Sequence, residues 1–361
     1  MKKVGSDFSG VGAFNQALMR LGIEYEEIFA CDMDKYARQT FIHNYGDPKY
    51  YPTNVYDREI PSESLDIYIT SPPCQAFSLA GKRLGKEDKR GILFFNSHEF
   101  IQKNNPRYFI FENVKGLLSD NGGKTFSEWV NLLGGKSING NPVIFPYEDS
   151  VPYHLYWQVL NAKNHGVPQN RERVFLIGIR DDQDNVFQFP KEEHLIKRLK
   201  DVLEDNVDDK YFLSEKMIDG FLAHNKRHIE EKGQDGFNWK PKDETQIANC
   251  LRANAALCAT DNSIKVGDYR TDEGFRWIKD GNSPAIMAMM RDTWKENFTG
   301  QNPPIINKDY KIRRLTPREC FRLMDFPDTF TWPVSDSQAY KQAGNSIVVN
   351  VLYKILKQLP L

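Results

Sequence analysis

The sequence has few cysteines, no long apolar run and almost no net charge, and each of these shortages argues against a class of protein. Its five cysteines form no Cys-x-x-Cys pair, so we expect no bound metal. The odd number and the scattered positions of the cysteines are typical of a reducing compartment. No apolar run reaches the roughly 18 residues of a membrane helix, so we expect no membrane contact.

The start of the chain and its charge balance add two expectations. Residues 1–7 run directly into a strand-like segment and leave no room for a signal peptide, so we expect a cytoplasmic, intracellular protein. The formal net charge is −1, so a nucleic-acid-binding surface would need a local cluster of Lys and Arg. The length of 361 residues predicts about two domains, with a core that needs no disulfides.

The first motif is a strand that leads into a glycine-rich turn and then a helix. Gly10 and Gly12 let the backbone turn tightly and approach a ligand, although such a turn alone serves many ligands and sometimes none. Asp32 follows the next apolar run and lies 25 residues after Asp7 (32 − 7), close to the ~20-residue offset of a ribose-binding carboxylate. An N-cap for a helix over Lys35–Tyr45 is the alternative role of Asp32.

A cysteine follows the third apolar run. Leu65–Thr70 is predicted to form a buried strand, and Pro72 and Pro73 end it. Cys74 therefore stands at the carboxyl end of a strand, where open α/β sheets bind ligands. A buried thiol without a chemical role is the alternative. The basic, glycine-punctuated segment 81–91 is either a surface loop or a lid over a polyanion.

Charged residues flank two further strands. Glu112 ends the apolar run of the fourth strand, where a carboxylate is costly to bury unless it is partnered or protonated. A helix cap or an ion pair is its structural alternative. Arg171 and Arg173 stand at i and i+2 just before the next strand, so they can point the same way. Such a pair is either a surface pair or a contact to phosphate or base edges.

Periodicity breaks down between about 191 and 313 and then returns. Thr316, Pro317 and Glu319 have the spacing of a capping box at a helix start. A strongly apolar helix is predicted over Ile347–Leu356. No internal repeat or low-complexity tract interrupts the chain.

The ordered set of motifs resembles the cytosine-C5 DNA methyltransferase family, in the form of the bacterial restriction-modification enzymes. The matching motifs extend from residue 4 to about 355 in the family's order. They are Asp7-Phe8-Ser9-Gly10-Val11-Gly12, Pro73-Cys74-Gln75, Glu112-Asn113-Val114, Gln169-Asn170-Arg171-Glu172-Arg173, Arg314-Leu315-Thr316-Pro317-Arg318-Glu319-Cys320 and Gly344-Asn345-Ser346.

The resemblance implies a fold and a division into domains. The fold is α/β, with a Rossmann-like sheet of the S-adenosylmethionine-dependent methyltransferases and a second, smaller, irregular target-recognition domain. Residues 1–190 would form the catalytic and cofactor-binding domain, completed by 335–361. Residues 191–334 would form the target-recognition domain and hinge.

The resemblance also assigns a chemistry. Carbon 5 of cytosine is a poor nucleophile, and addition of a thiolate to carbon 6 turns the ring into an enamine that attacks through carbon 5. Cys74 would supply the thiolate. Glu112 would donate a proton or hydrogen bond at nitrogen 3. Arg173 would hold the cytosine carbonyl, and Arg171 would orient the site. The base must be flipped out of the duplex, at a cost of a few kcal/mol.

The implied methyl donor is S-adenosylmethionine, with no metal. Its predicted contacts are Phe8, Ser9, Gly10, Val11, Gly12, Asp32, Met33, Asn54, Val55, Pro73, Leu93, Asn345 and Ser346. Asp32 stands where the family usually has Glu, Met33 where an aromatic ring often stacks, and Asn54 where Asp is frequent. The predicted DNA contacts are Ser78, Lys82, Arg83, Arg90 and Arg291.

The implied partner is double-stranded DNA. A cognate restriction endonuclease would act on the same sequence without direct contact, and we expect a monomer. Three other functions are open at this point: a tRNA cytosine-C5 methyltransferase of the same fold, a non-catalytic nucleic-acid-binding protein, and a nicotinamide-dependent oxidoreductase. The oxidoreductase explains the glycine turn and Asp32 but no later motif.

Overall fold

The computed structural model describes residues 1–72, 92–182, 186–232, 241–253, 262–266, 268–270, 274–276 and 311–361. The strands are β1 (Lys2–Asp7), β2 (Tyr25–Cys31), β3 (Ile67–Thr70), β4 (Tyr108–Val114), β5 (Ser137–Ile138), β6 (Asn141–Pro142), β7 (Tyr153–Asn161), β8 (Gln169–Asn170), β9 (Glu172–Arg180), β10 (Ala248–Asn249), β11 (Ser263–Val266), β12 (Asp268–Arg270), β13 (Gly274–Arg276) and β14 (Lys311–Arg314). The α-helices are α1 (Ala13–Leu21), α2 (Lys35–Tyr45), α3 (Ile92–Asn104), α4 (Lys124–Leu133), α5 (Glu215–Lys232), α6 (Pro317–Leu323), α7 (Asp336–Asn345) and α8 (Val349–Leu356). Short 3₁₀ segments cover Lys115–Gly123, Ala162–His165, Leu199–Asp201 and Asp209–Tyr211.

A mixed sheet organises the described part of the chain, with the strand order β2-β1-β3-β4-β9-β7-β5-β6. Strands β1 to β4 are parallel to one another, whereas β9 runs antiparallel to both β4 and β7. Parallel strands buried on both faces have nearly continuous apolar sequences, as β3 and β4 do. The predicted α/β sheet is therefore confirmed.

Alternation along the strands builds two cores. Tyr108 and Ile110 of β4 pack on one face of the sheet, with α1 and α8. Phe109 and Phe111, the residues between and beyond them, pack on the other face with α3 and α4. Because successive strand side chains point to opposite faces, one continuous apolar strand supplies both layers.

The described residues between 191 and 313, where the sequence periodicity breaks down, pack partly on one of these two cores. Leu199, Val202, Ala248, Leu251 and Ile264 belong to the core cluster on the α1 face of the sheet. Helix α5 instead packs through partly buried apolar residues on Ile312 of β14. The division at 190 and 334 into a catalytic and a recognition domain stays a prediction.

The N-termini of α2 and α6 are capped by side chains, one of them as predicted. Helix α2 has the predicted bounds, but its N-cap is Asp34, whose carboxylate accepts from the backbone N–H groups of Tyr36 and Ala37. The alternative role of Asp32 as this cap is therefore wrong. At α6 the predicted capping box is present, with Thr316 and Glu319 bonded reciprocally. No described helix combines the length and apolar character that spanning a membrane requires.

A partly buried carboxyl on β2 makes stability depend on pH. Glu27 accepts from the Asn15 side-chain amide, and the Ser6 hydroxyl donates to its Oε1 at 3.5 Å. Burial raises the pKa of Glu27 to about 8, against the opposing effect of these two hydrogen bonds. The folded protein thus keeps a proton that the unfolded chain releases above about pH 4.5.

We expect the free energy of unfolding to fall as pH rises from about 4.5 to about 8, since the unfolded chain binds fewer protons there. The largest possible slope from this one group is about 1.4 kcal/mol per pH unit. Glu27→Gln should flatten the dependence and raise stability at pH 8. Urea unfolding at pH 6 and pH 8 measures both, and equal slopes in the two proteins would contradict the assignment.

Candidate active site

The ends of neighbouring strands bring the sequence motifs to one edge of the sheet. Strands β1, β2, β3 and β4 are parallel, and the last residues of the first three are in register, with Asp7 opposite Cys31 and Thr70. Thr70 is opposite Phe111 of β4, so Glu112 follows just beyond that register. The glycine turn, Asp32, Pro72 and Glu112 therefore lie at the carboxyl edge, where α/β sheets bind ligands.

The glycine turn leaves open space above its backbone. Phe8, Gly10 and Gly12 all have positive φ, at 57°, 55° and 81°. A Cβ on Gly10 would meet no atom closer than 4.0 Å, whereas one on Gly12 would lie 2.2 Å from the Tyr45 ring. Gly12 is thus required by packing and by φ, and Gly10 leaves room for a ligand to approach the chain.

Asp32 lies beside this turn. Its Oδ2 accepts from the Gly10 backbone N–H at 2.8 Å, and its Oδ1 accepts from the Asp34 N–H at 2.8 Å. Burial raises the pKa of the Asp32 carboxyl, and the two backbone hydrogen bonds oppose this rise. Each carboxylate oxygen can accept more than one hydrogen bond, so the group can still take ribose hydroxyls.

An apolar wall continues from the turn. Phe8 and Leu93 are partly buried, Val55 is buried, and all three belong to the core cluster on the α3 face. Met33 is 85% exposed and free to cover a planar ligand. Val11 packs in the opposite cluster and contributes to the position of the turn rather than to this wall.

Two predicted cofactor residues already have local partners. The Asn54 side chain accepts from the Tyr56 backbone N–H at 3.1 Å and donates to Asp57 at 3.3 Å, which is a local turn. Its predicted pairing with adenine would compete with the Asp57 contact. Asn345 is exposed at the end of α7, whereas Ser346 is buried and its hydroxyl donates to the Ile347 carbonyl.

Glu112 and Arg173 form an ion pair at the same edge. The register of β4 and β9 places Val114 opposite Arg173, and the Arg173 Nε lies 3.1 Å from Glu112 Oε1. Burial raises the pKa of Glu112, against the opposing charges of Arg173 and Arg171. The ion-pair alternative for Glu112 is therefore present, and burial nevertheless holds the pKa of this carboxyl above its usual value.

Arg171 joins three segments of the chain. Its Nη1 donates to the Leu251 carbonyl at 3.0 Å and contacts the Cys250 sulfur at 3.4 Å. Its Nη2 donates to the carbonyls of Gly344 and Ser346 at 3.0 and 2.7 Å. Arg171 thus joins the motif before β9 to the segments 344–346 and 250–251, and its contacts are those of a positioning residue.

The Arg171 guanidinium is buried among these partners. Burial, followed by the neighbouring charge of Arg173, lowers its pKa to about 10, so it stays charged at neutral pH. Its Nε has no hydrogen-bond partner among the described residues. The charge of Arg171 lowers the pKa of Glu112, but by less than the charge of Arg173 does.

Asn113 connects Glu112 to the strand that precedes Cys74. Its side-chain amide donates to the Pro72 carbonyl at 3.2 Å, and its Oδ1 accepts from the Val114 N–H. Several predicted site residues lie outside the described residues: Pro73, Cys74, Ser78, Lys82, Arg83, Arg90 and Arg291.

The sequence analysis named Gln169 and Gly344 in its motifs but did not predict their contacts with residues 251 and 252. The Gln169 side chain accepts from the Leu251 N–H and donates to the Leu323 carbonyl. A Cβ on Gly344 would lie 2.2 Å from the Arg252 carbonyl oxygen, so the backbone at Arg252 packs directly on Gly344. Leu251 carried no signal, because it is an ordinary apolar residue in a polar stretch.

A metal centre has no support in the described part of the chain. No group of three or more His, Cys, Asp or Glu side chains there is placed to hold a metal ion. The expectation of a metal-free protein stays a prediction.

Comparison with known proteins identifies the family. A family model described as C-5 cytosine-specific DNA methylase matches residues 3–360. The chain belongs to this family. It is 35% identical over 360 residues to the type II methyltransferase M.HpaII of Haemophilus parainfluenzae, covering 98% of this chain and 88% of that protein. It is 32% identical over 364 residues to the type II methyltransferase M1.ScrFI of Lactococcus lactis subsp. cremoris, covering 98% and 76%.

The fold of this C-5 cytosine-specific DNA methylase also matches solved structures. A mutant of DNMT2 from Spodoptera frugiperda aligns with a TM-score of 0.70 and 21% identity, covering 99% of both chains. At that identity the likeness concerns the fold alone. Family membership confirms the predicted DNA cytosine-C5 methyltransferase and implies S-adenosylmethionine and DNA as its substrates. It does not favour the tRNA-methylating or the non-catalytic function.

Proposed function

We propose that this chain transfers a methyl group to carbon 5 of a flipped cytosine in a specific double-stranded DNA sequence, through a covalent adduct with Cys74. The observation that carries the proposal is the pairing of the buried Glu112 with the partly buried Arg173 at the carboxyl edge, beside the strand that leads to Cys74. Burial raises the pKa of the Glu112 carboxyl, the direction of change that suits an acid at nitrogen 3.

The residues present fit S-adenosylmethionine. The open space above Gly10, the adjacent Asp32 carboxylate and the apolar wall of Phe8, Val55 and Leu93 suit an amino acid, a ribose and an adenine. When bound, this cofactor supplies an electrophilic methyl group. We assign its binding to the full set named from sequence, including Ser9, Met33, Asn54, Pro73, Asn345 and Ser346.

The chain's own residues perform the other steps. The Cys74 thiolate adds to carbon 6 of cytosine, and Glu112 donates its proton at nitrogen 3 while Arg173 holds the ring carbonyl. After methyl transfer at carbon 5, a base removes the carbon-5 proton and the bond between carbon 6 and sulfur breaks, which releases the thiolate. The nitrogen-3 proton returns to the Glu112 carboxylate. Arg171 holds the surrounding segments through its carbonyl contacts.

The biological setting is also a proposal. The type II methyltransferases among its relatives support a role as the modification enzyme of a restriction-modification system. A cognate endonuclease would act on the same sequence without contacting this monomeric enzyme. We assign DNA recognition to residues 191–334 and to the contacts Ser78, Lys82, Arg83, Arg90 and Arg291, and catalysis to 1–190 with 335–361.

Labelled S-adenosylmethionine tests the substrate class. We expect label in unmethylated DNA as 5-methylcytosine and none in total RNA, with Cys74→Ala as the blank. Label only in RNA would favour the tRNA-methylating function. Bound cofactor without transfer to DNA of complete sequence diversity would favour the non-catalytic function. Bisulfite sequencing of DNA from expressing cells then gives the recognition sequence.

Asp32→Ala should weaken cofactor binding. Loss of the carboxylate removes hydrogen bonds to the ribose, so the free energy of binding should fall by roughly 1–2 kcal/mol. Titration calorimetry with S-adenosylmethionine measures it. Asp66→Ala is the matched control, because Asp66 also accepts a backbone N–H, from Lys3 at 2.9 Å, but at the opposite edge of the sheet. Equal affinities for the two variants would remove the assignment.

A further inference from the structure

Asp32 is supported by a second layer of residues, Arg38, Tyr51 and Pro52. None of these three belongs to a sequence motif. Arg38 of α2 lies with its guanidinium carbon 3.9 Å from the centroid of the Tyr51 ring. The same guanidinium donates to the Pro52 carbonyl at 3.0 Å and to the Asp32 carbonyl at 3.5 Å. One side chain thus joins α2, the end of β2 and the segment 50–52.

Segment 50–52 runs along the free edge of β2. The Ala30 N–H donates to the Tyr50 carbonyl at 3.1 Å, and the Asp32 N–H donates to the Pro52 carbonyl at 3.3 Å. Pro52 therefore accepts from both Asp32 and Arg38. The backbone of Asp32 is fixed from this side, while its carboxylate is fixed by the glycine turn.

Tyr51 connects the same layer to the turn itself. Its hydroxyl lies 3.2 Å from the Ser9 hydroxyl, within hydrogen-bonding distance. Its ring is packed between Arg38 and Phe41, with a centroid separation of 5.3 Å from the latter. The positions of Ser9 and Asp32, two predicted cofactor contacts, are thus set by one aromatic residue and one arginine.

We propose that Arg38 and Tyr51 are positioning residues that pre-form the ribose-binding geometry of the cofactor site, acting through Asp32 and Ser9. This inference rests on the proposed binding of S-adenosylmethionine at the carboxyl edge. Residues that are already held in the binding geometry lose less conformational entropy when the cofactor binds. Loss of Arg38 or Tyr51 therefore weakens affinity, although neither is proposed to contact the cofactor.

The test measures binding of S-adenosylmethionine and of S-adenosylhomocysteine by calorimetry. Arg38→Met should raise both Kd values about fivefold, and Tyr51→Phe, which keeps the ring but loses the hydroxyl, about twofold. Arg38→Lys, which keeps a donor for Pro52, should lose less than Arg38→Met. The KM for DNA and the kcat at saturating cofactor should not change.

Arg20→Met is the matched control. Arg20 also lies over a tyrosine ring, that of Tyr353 at 5.8 Å, and donates to the Asp325 backbone carbonyl at 2.7 Å. It stands near the C-terminal end of α1, away from the glycine turn. Loss of either arginine should lower the thermal stability, because each one joins separate segments of the chain. Only Arg38→Met should also raise the Kd for the cofactor, because only Arg38 contacts Asp32 and Tyr51.

A double-mutant cycle distinguishes action through Asp32 from an independent contact. If Asp32→Ala raises the Kd about tenfold and Arg38→Met about fivefold, the double variant should show about tenfold rather than about fiftyfold weakening. Multiplying effects, or equal Kd values for Arg38→Met and Arg20→Met, would overturn the inference. If the wild-type protein bound neither ligand, the proposed function itself would fail, which is a different result.

Discussion

Glu112→Gln is expected to lower kcat by roughly 10²–10⁴, the range for loss of a general acid. The carboxyl is buried, its pKa is raised, and it pairs with Arg173 at the carboxyl edge of the sheet. Glutamine keeps the size and an amide donor, so the base can still bind. It cannot give up a proton as negative charge builds at nitrogen 3.

Single-turnover methyl transfer with saturating DNA and cofactor measures this loss. Glu27→Gln is the matched control, because Glu27 is a partly buried carboxyl whose pKa is also raised, but it pairs with Asn15 and Ser6 instead. Its kcat should stay within about twofold of wild type, since it touches no reacting group. Comparable losses in the two variants would show that burial of a carboxyl, rather than acid catalysis, explains the result.

Arg171→Met should instead destabilise the fold, by about 3–5 kcal/mol. The buried carbonyls of Leu251, Gly344 and Ser346 each lose a donor, and an unsatisfied buried acceptor costs about 1–3 kcal/mol. Methionine fills much of the volume, so the cost reflects the lost hydrogen bonds. Urea unfolding measures the change.

Arg173→Met provides the contrast for this second prediction. Arg173 is only partly buried and donates to the carbonyl of its neighbour Glu172 as well as pairing with Glu112. Its replacement should cost less stability than that of Arg171 but more kcat, because the cytosine carbonyl loses its partner. A loss of under about 1 kcal/mol for Arg171→Met would contradict the role of Arg171 as the link between segments.

Several elements of the fold could be predicted from sequence because each depends on residues close together in the chain. The turn at Gly10 and Gly12, the helix over Lys35–Tyr45 and the capping box at Thr316 each depend on residues a few positions apart. Parallel strands then bring successive strand ends to one edge. The N-cap of α2 was missed by two residues, because Asp32 and Asp34 are chemically equivalent caps until the turn geometry distinguishes them.

The long-range contacts could not be predicted. Arg171 and Ser346 are 175 residues apart, and Arg171 and Leu251 are 80 apart, with only backbone carbonyls as acceptors. A carbonyl is present at every residue, so no side-chain pattern records which one an arginine will meet. The stacking of Arg38 on Tyr51 is invisible for a related reason, since both residues are common on exposed helices and loops.

The central claim is a covalent bond between Cys74 and carbon 6 of cytosine. Duplex DNA with 5-fluorocytosine at the methylated position tests it most directly, because fluorine at carbon 5 cannot be removed as a proton and the adduct persists. We expect a stable one-to-one protein–DNA complex in the presence of S-adenosylmethionine, with the DNA attached to the Cys74 peptide in mass spectrometry. Cys74→Ala should form none while still binding the cofactor. An active wild-type enzyme that forms no adduct, or one attached at another residue, would contradict the mechanism.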